Sequence, residues 1–231
     1  MATLRHSALA ALVSALLLAF PLMAPLAHAS SPVAGTWHAL GPGLTDFVYA
    51  VAAWGTDLYV GGSFLAAGGV PGADYLARWD GAAWHPLGKG LNATANALAP
   101  SGSDLYVGGS FTAPLSGIDR IARWDGAWHA VGGGLSDTVY SLAAAGANVY
   151  AGGLFTDAGG SLGADGVARF DGAAWNAMVK GLNNSVTALA VEGANVYAGG
   201  LFTDAGGERG ADRIARWGGI DYERFLPVVM R

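Results

Sequence analysis

The stretch GANVYAGGLFTDAGG occupies residues 146–160 and recurs, letter for letter, at residues 193–207. Self-similarity at a fixed period is typical of repeat architectures, and the same register extends over most of the chain. A Trp, a Tyr, a Phe and a Gly-Gly doublet each recur four times, at intervals of 47, 44 and 47 residues. The tryptophans are Trp37, Trp84, Trp128 and Trp175, and the doublets are Gly61-Gly62, Gly108-Gly109, Gly152-Gly153 and Gly199-Gly200. The chain therefore contains four repeats, with units near residues 37–83, 84–127, 128–174 and 175–217.

Turn residues divide each repeat into four short strands, here called A to D. In the first repeat the predicted strands are 48–53, 58–64, 75–79 and 84–87. An Asp or Asn closes every A–B turn, where such side chains bond their own backbone and tolerate left-handed geometry. A period of about 45 residues with four strands is typical of one blade of a β-propeller.

The glycine doublets lie in strand B, which is buried on both faces when blades pack against each other. We therefore expect the missing side chains to admit a large residue of the neighbouring blade. The expected residues are the strand C aromatics Trp79, Trp124, Phe170 and Trp217, or the strand D tryptophans.

The order LYVGGSF, then RWDG, then WHPLG resembles the kelch, or galactose-oxidase-like, propeller repeat. The resemblance runs from Trp37 to about Trp217 and implies a propeller made of these units. The sequence departs from the family pattern in two places. A basic residue often found near the start of the unit is missing, and Gly218 stands where Asp is expected.

The predicted fold is all-β: a propeller of four blades with four antiparallel strands each. The array begins with a single strand D at residues 37–40 and ends with strands A, B and C. The N-terminal strand is therefore expected to complete the last blade and close the ring, which removes free sheet edges. Alternatively, Tyr222 follows Trp217 at the spacing that separates Trp79 from Trp84, so YERFL could be the last strand D.

The two ends of the chain differ in composition from the repeats. Arg5, an apolar run over residues 8–20 and Ala27-His28-Ala29 together match a secretory signal peptide, so residues 1–29 are expected to be removed. We expect residues 30–219 to form the propeller domain and residues 220–231 to be a C-terminal tail of undecided role. The protein is then predicted to be secreted or displayed at the cell surface. After removal of the signal, no apolar stretch is long enough to span a membrane.

Charge and cysteine usage exclude several classes of protein. The formal net charge of −5 argues against a nucleic-acid partner, which would need a basic face to engage phosphates. There is no Cys, which excludes disulfides, thiolate nucleophiles and cysteine metal sites. Motifs for phosphate, EF-hand calcium or zinc binding are also missing, so no cofactor and no metal are predicted.

Two recurring sets of polar residues are candidates for a metal site or an anion-binding site. His38, His85 and His129 each follow a strand D Trp, but strand D is the outer strand of a blade, so a shared metal ion is disfavoured. An Arg recurs in every strand C together with an Asp shortly before it. These arginines are Arg78, Arg123, Arg169 and Arg216, and the acids are Asp74, Asp119, Asp165 and Asp212. Because they are present in every blade, a structural role in internal bonds is favoured over an anion-binding ring.

Positions that differ between repeats are better candidates for ligand binding. The D–A loops share a Gly-Leu step but vary around it, and strand A varies at one equivalent position just inside the loop. The loop candidates are Asp46, Lys89, Asp137, Lys180 and Asn184, and the strand A candidates are Tyr49, Asn96, Tyr140 and Thr187. Varied polar and aromatic groups around a channel mouth suit a sugar or a peptide. The alternative is a solvated loop face without a ligand.

Three functions are compatible with the sequence. The first is an exported, non-enzymatic binding or scaffold propeller that engages a carbohydrate or a protein through its loop face. The second is a glycan-directed oxidase or lyase; the family's copper chemistry needs a Cys that this chain lacks, and no catalytic set supports a lyase. The third is a purely structural surface module.

Overall fold

The computed structural model describes residues 35–112, 117–178, 180–208 and 210–218. The chain divides into two compact units, Met1–Trp37 and His38–Arg231. In the first unit, residues 35–37 have no regular secondary structure. The expected signal peptide and the C-terminal tail lie outside the described residues.

The second unit is built from antiparallel β-hairpins. Consecutive strands form four sheets, β1–β4, β5–β8, β9–β12 and β13–β15, and each sheet keeps its strands in chain order. The strands are β1 Val48–Trp54, β2 Asp57–Gly62, β3 Leu76–Trp79, β4 Trp84–Pro86, β5 Ala95–Ser101, β6 Asp104–Gly109, β7 Ile121–Trp124, β8 Trp128–Ala130, β9 Val139–Ala145, β10 Asn148–Gly153, β11 Val167–Phe170, β12 Trp175–Ala177, β13 Val186–Glu192, β14 Asn195–Gly200 and β15 Ile214–Trp217. A 3-10 turn, Ala67–Gly69, lies between β2 and β3. Each sheet contains the predicted strands A to D, or A to C in the last sheet, so strand D of each complete sheet begins the next repeat unit. The sheets are called blades 1 to 4 below.

The strand boundaries follow the turn chemistry of the sequence. In blade 1 every strand ends within two residues of its predicted bound. The A–B hairpin turns at Gly55, whose φ of +62° lies in the left-handed region that glycine adopts without strain. Asp57 begins β2 and pairs with Trp54 across the turn. The predicted four-blade, all-β architecture is confirmed.

The core lies between successive blades and under the B–C loops. One Phe per repeat is almost fully buried directly after each strand B: Phe64, Phe111, Phe155 and Phe202. The apolar clusters cross from one blade to the next, so that Tyr59 and Leu76 of blade 1 pack with Ala95 and Val107 of blade 2. Blades are therefore stabilised by their neighbours, as expected of a repeat array.

The two glycines of each doublet lie against different parts of the structure. A Cβ on the first glycine would touch strand A of the next blade: at Gly61 it would lie 3.1 Å from the Cβ of Ala95, and at Gly108 it would lie 2.5 Å from Cγ1 of Val139. A Cβ on the second glycine would strike its own blade, since at Gly109 it would lie 2.0 Å from the carbonyl oxygen of Thr94. The prediction that an aromatic ring fills the space at the doublet is wrong, because short aliphatic residues of strand A lie there.

The aromatic residues instead stack within a blade and reach across to the previous one. Trp79 packs on Trp84 with ring centroids 5.2 Å apart, and the same pair recurs in blades 2 and 3. The strand D indole Nε1 donates to a carbonyl oxygen at the end of the preceding unit. These bonds are Trp84 to Leu40 at 3.0 Å, Trp128 to Leu87 at 3.1 Å and Trp175 to Val131 at 3.1 Å. Each bond ties two consecutive repeats together.

Closure of the ring is not seen in the described residues. Residues 35–40 form no strand, contrary to the prediction of a strand D at 37–40, and blade 4 has three strands. The alternative closing segment around Tyr222 lies outside the described part of the chain. Completion of blade 4 therefore stays a prediction.

Candidate functional site

The four strand A candidates lie around one cavity. Tyr49, Asn96, Tyr140 and Thr187 come from blades 1, 2, 3 and 4. They line a solvent-open cavity of about 600 Å³, together with Thr94, Ser110 and Thr138 from the adjoining loops. The repeat therefore brings together four side chains that are separated by more than forty residues in sequence.

The loops at this cavity are fixed to each other in every blade. The residue after the glycine doublet donates its backbone N–H to the D–A loop, as in Ser110 to Thr94 at 3.0 Å. A side chain three residues before the start of strand A adds a second connection: Asn92 accepts from the backbone N–H of Thr112 at 2.9 Å and donates to its hydroxyl at 3.1 Å. Thr45, Ser136 and Asn183 make corresponding bonds in the other blades. Sequence reasoning missed this role, although a small polar residue recurs there.

The lining of the cavity is aromatic and polar but carries no charged side chain. Tyr49 is about half exposed and stacks on Phe47, with centroids 6.3 Å apart. Asn96 is anchored, because its Nδ2 donates to the carbonyl oxygen of Val139 at 3.0 Å. Thr187 donates to the carbonyl oxygen of Gly199 at 3.3 Å. Such a surface can stack against an apolar face and hydrogen-bond hydroxyl or amide groups.

The five loop candidates do not line this cavity. Three of them cap the start of strand A, accepting from the backbone N–H of the next residue. The bonds are Asp46 to Phe47 at 2.8 Å, Asp137 to Thr138 at 2.6 Å and Asn184 to Ser185 at 2.7 Å. Lys89 and Lys180 are exposed on the D–A loops. Asp46, Asp137 and Asn184 are therefore engaged in local backbone bonds.

The strand C arginines reach the A–B turn. Arg78 pairs with Asp57 at 2.6 Å and Arg123 with Asp104 at 3.1 Å. In blade 4, Arg216 donates to Asn195 at 2.9 Å, and Arg169 is half-buried at the same position in blade 3. The Asp that precedes strand C acts elsewhere, since Asp74 accepts from the backbone N–H of Ala66 at 2.7 Å. Asp74 is therefore not the acid that pairs with Arg78, and the internal bonds of Arg78, Arg123 and Arg216 go to the A–B turn.

The strand D histidines interact within their own blades. His85 contacts Asp80 at 2.6 Å and His129 contacts Asp125 at 3.0 Å, while Asn176 replaces His in blade 3 and donates to Asp171 at 2.9 Å. Backbone N–H groups of the C–D turn, followed by the side chain at the His or Asn position, lower the pKa of Asp80 and of Asp171, the latter to about 2. For Asp125 the side chain of His129 is the main cause of a lowered pKa. His38 lies on the exposed segment before blade 1.

Comparison with known proteins supports the fold. No family model and no curated protein matches the sequence. The computationally designed Ika4 protein superposes with a TM-score of 0.52 at 14% identity, covering 79% of this chain and 99% of that one. The fold is a β-propeller.

Two further solved structures are similar over part of their length. The designed Ika8 protein gives a TM-score of 0.46 at 20% identity, covering 67% of this chain and 43% of that one. YCF48 bound to D1 peptide gives 0.45 at 14% identity, covering 72% and 50%. The chain thus spans half, or less than half, of these two proteins. Within the described residues, no helix is long and apolar enough to cross a membrane.

Proposed function

We propose that this protein is an exported, non-enzymatic binding propeller that takes an uncharged polar ligand, a carbohydrate or a segment of a protein, in the cavity lined by strand A of all four blades. The observation that carries the proposal is the convergence of Tyr49, Asn96, Tyr140 and Thr187 on one opening of about 600 Å³. Ligand sites combine apolar or aromatic surface with a few oriented polar groups, and this cavity has both.

Variation against a constant frame supports the same conclusion. The Tyr, the Gly-Gly doublet and the Phe in and after strand B are the same in every repeat, whereas the strand A position that faces the cavity is Tyr, Asn, Tyr and Thr in turn. A position with only a structural role would be expected to keep one residue type in all four repeats. The Tyr rings offer flat faces for a sugar or for a peptide side chain, and the amide and hydroxyls offer hydrogen bonds.

Binding is tested by applying the purified protein to an oligosaccharide array and to a peptide array. We expect specific features on one of them, and we expect the Tyr49→Ala/Tyr140→Ala variant to lose these features. Leu162→Ala is the matched control, because Leu162 is a highly exposed side chain in a B–C loop that does not line the cavity. Equal binding by the double variant would place the site elsewhere, and no feature on either array would contradict a binding function.

Export is the second part of the proposal and rests on the segment that matches a signal peptide at residues 1–29. Expression of the full sequence in a secreting host should deliver protein whose N-terminal sequence begins at Ser30. Retention of the intact N-terminus on cell-associated protein would contradict export.

A further inference from the structure

The interface between blades is repeated three times within the chain. On one side is the first glycine of a doublet with an aliphatic residue of strand C, and on the other is an aliphatic residue at the start of strand A. The strand C residues Leu76, Ile121 and Val167 are 0%, 0% and 3% exposed. The strand A residues Ala95, Val139 and Val186 are all 0% exposed.

At the two ends of the array, the equivalent surfaces are exposed: the strand B and strand C side on blade 4, and the strand A side on blade 1. On blade 4, Ile214 is 70% exposed, and a Cβ on Gly199 would meet, among the described residues, only Ala188 and Arg213 of its own blade at 3.8 Å. On blade 1, Val48 is 41% and Val51 is 60% exposed. The counterparts of Ile214 and Val48 are buried in the other blades, and those of Val51, which are Leu98, Leu142 and Leu189, are partly buried. The greater exposure at the ends of the array therefore reflects a missing neighbour and not a different sequence. Exposed apolar surface of this kind marks an interaction site.

Blade 4 also has a cavity that no described residue fills, at the place where the other blades hold the strand D tryptophan. A cavity of about 280 Å³ is lined by Met178, Ala198, Ala205 and Ala215, among others. These residues are the counterparts, 138 positions later, of Leu40, Val60, Ala67 and Ala77. In blade 1 the carbonyl oxygen of Leu40 accepts from the indole of Trp84, and the other three residues pack around its ring. The cavity therefore has the shape and the acceptor position of a tryptophan site.

The residues before blade 1 have the sequence that fits this site. Residues 37–40 read WHAL, against WHPL at 84–87 and WHAV at 128–131, whereas the segment at 222–225 reads YERF. A Tyr has no ring N–H to donate to the carbonyl group of Met178. Leu40 already occupies the position of Leu87 and Val131, since it accepts the indole bond of the following blade. The residues just before it are therefore suited to enter the preceding blade of a continuous array.

We propose that two copies of this protein join head to tail into a closed eight-bladed ring, with blade 4 of each copy packed on blade 1 of the other and Trp37 of that other copy in the empty site of blade 4. Among the described residues, the three equivalent interfaces within the chain leave the faces of blades 1 and 4 exposed, which indicates that four blades do not complete the turn. A heterologous interface forms rings when its rotation closes. Two copies leave no face uncovered and give eight blades, the upper end of the usual range of four to eight, whereas three copies would exceed it.

The mass in solution tests the proposal directly. Size-exclusion chromatography with light scattering on the full chain should give twice the chain mass across a wide range of loading concentrations. A mass of one chain would overturn the proposal in favour of closure within the chain. Species that grow with concentration would overturn it in favour of an open array.

Variants with complementary charges test whether the exposed faces of blades 1 and 4 are the ones that pair. Ile214→Asp and Val51→Lys each place a charge in both interfaces of a homodimer, so each variant alone should run as a monomer. Mixing them restores one native interface and one Asp–Lys interface, so the mixture should contain a dimer. The control Leu162→Asp, in an exposed B–C loop, should stay dimeric. Dimers of either single variant, or monomers in the mixture, would contradict the assigned faces.

The occupant of the empty site is tested separately. Trp37→Ala should raise the dissociation constant of the dimer by about tenfold or more, as for a buried aromatic anchor. Tyr222→Ala should leave the constant within about twofold of the parent. The reverse result would assign the site to the C-terminal segment and overturn the role of residues 37–40. Circular dichroism melting of each variant separates lost assembly from lost folding.

Discussion

At the scale of single residues, close backbone approach decides what the repeat can contain. The second glycine of every doublet lies against the backbone of its own D–A loop, where the carbonyl oxygen accepts from the N–H that follows the doublet. A side chain there would push apart the loop and the strand that frame the cavity. The constancy of this glycine therefore has a steric cause and needs no ligand.

Gly109→Ala tests this cause. Its Cβ would lie 2.0 Å from the carbonyl oxygen of Thr94, so we expect the free energy of unfolding to fall by about 1–3 kcal/mol or more, as for overpacked cores. Urea denaturation measures the change. Gly102→Asn is the control, since that turn has open space and a left-handed backbone that Asn tolerates, and it should change stability by less than about 0.5 kcal/mol. Equal stability of the two variants would contradict the steric account.

Turn carboxylates give the fold a dependence on pH. The folded-state pKa of Asp171 is lowered to about 2 by backbone N–H groups and Asn176, whereas an unfolded Asp titrates near about 3.9. A lowered pKa means that the ionised turn stabilises the fold above the unfolded value and that this contribution is lost as pH falls toward 2. Asp171→Ala should therefore lower the melting temperature at pH 7 and make little difference near pH 2. Glu192→Ala, an exposed carboxylate at the end of β13, is the control, and a gap in melting temperature that is equal at both pH values would contradict the prediction.

At the scale of elements, the strand D tryptophans join one blade to the next. Trp128 is buried and its indole donates to the carbonyl oxygen of Leu87, so the bond links two repeats. Its partner in the ring stack, Trp124, lies in strand C of the same blade. Both residues are tryptophans, but Trp128 links two repeats whereas Trp124 packs within one blade.

Trp128→Phe should separate the contribution of the hydrogen bond between repeats from that of ring packing within the blade. The ring is kept in part but the carbonyl of Leu87 loses its donor, so we expect a loss of about 1–3 kcal/mol in urea denaturation. Trp124→Phe is the matched control, because blade 3 carries Phe170 at that position, and it should cost clearly less. A larger loss for Trp124→Phe would show that ring packing, and not the link between blades, dominates.

The strands could be predicted from the sequence more accurately than the contacts that their side chains make. Fixed-period Trp, Tyr and Gly-Gly positions, with turn residues between them, were sufficient to predict the blades and their strand bounds. The neighbour of Gly61 and the acid that pairs with Arg78 differ from the prediction, because spacing along a chain does not say which side chain of the next blade or of the A–B turn comes within reach. The strand A candidates were placed together correctly because equivalent positions of a repeat must face the same side.

At the scale of the whole molecule, the candidate site belongs to no single repeat. Each blade contributes one strand A side chain, and the loops that hold these strands are tied together by Asn92 and its counterparts. A single repeat could not bury its own faces or form the cavity, so binding and folding depend on the same array. The strand A position at the cavity differs between the repeats, being Tyr, Asn, Tyr and Thr in turn.

The most direct test of this account is a calorimetric titration of the ligand identified on the arrays into the parent protein, the Tyr49→Ala/Tyr140→Ala variant and the Leu162→Ala control. We predict that the parent and the control bind with the same affinity, and that the double variant binds at least about tenfold more weakly, at unchanged melting temperature, because two aromatic anchors are gone. Equal affinity for all three proteins would contradict the central claim that this cavity is the binding site.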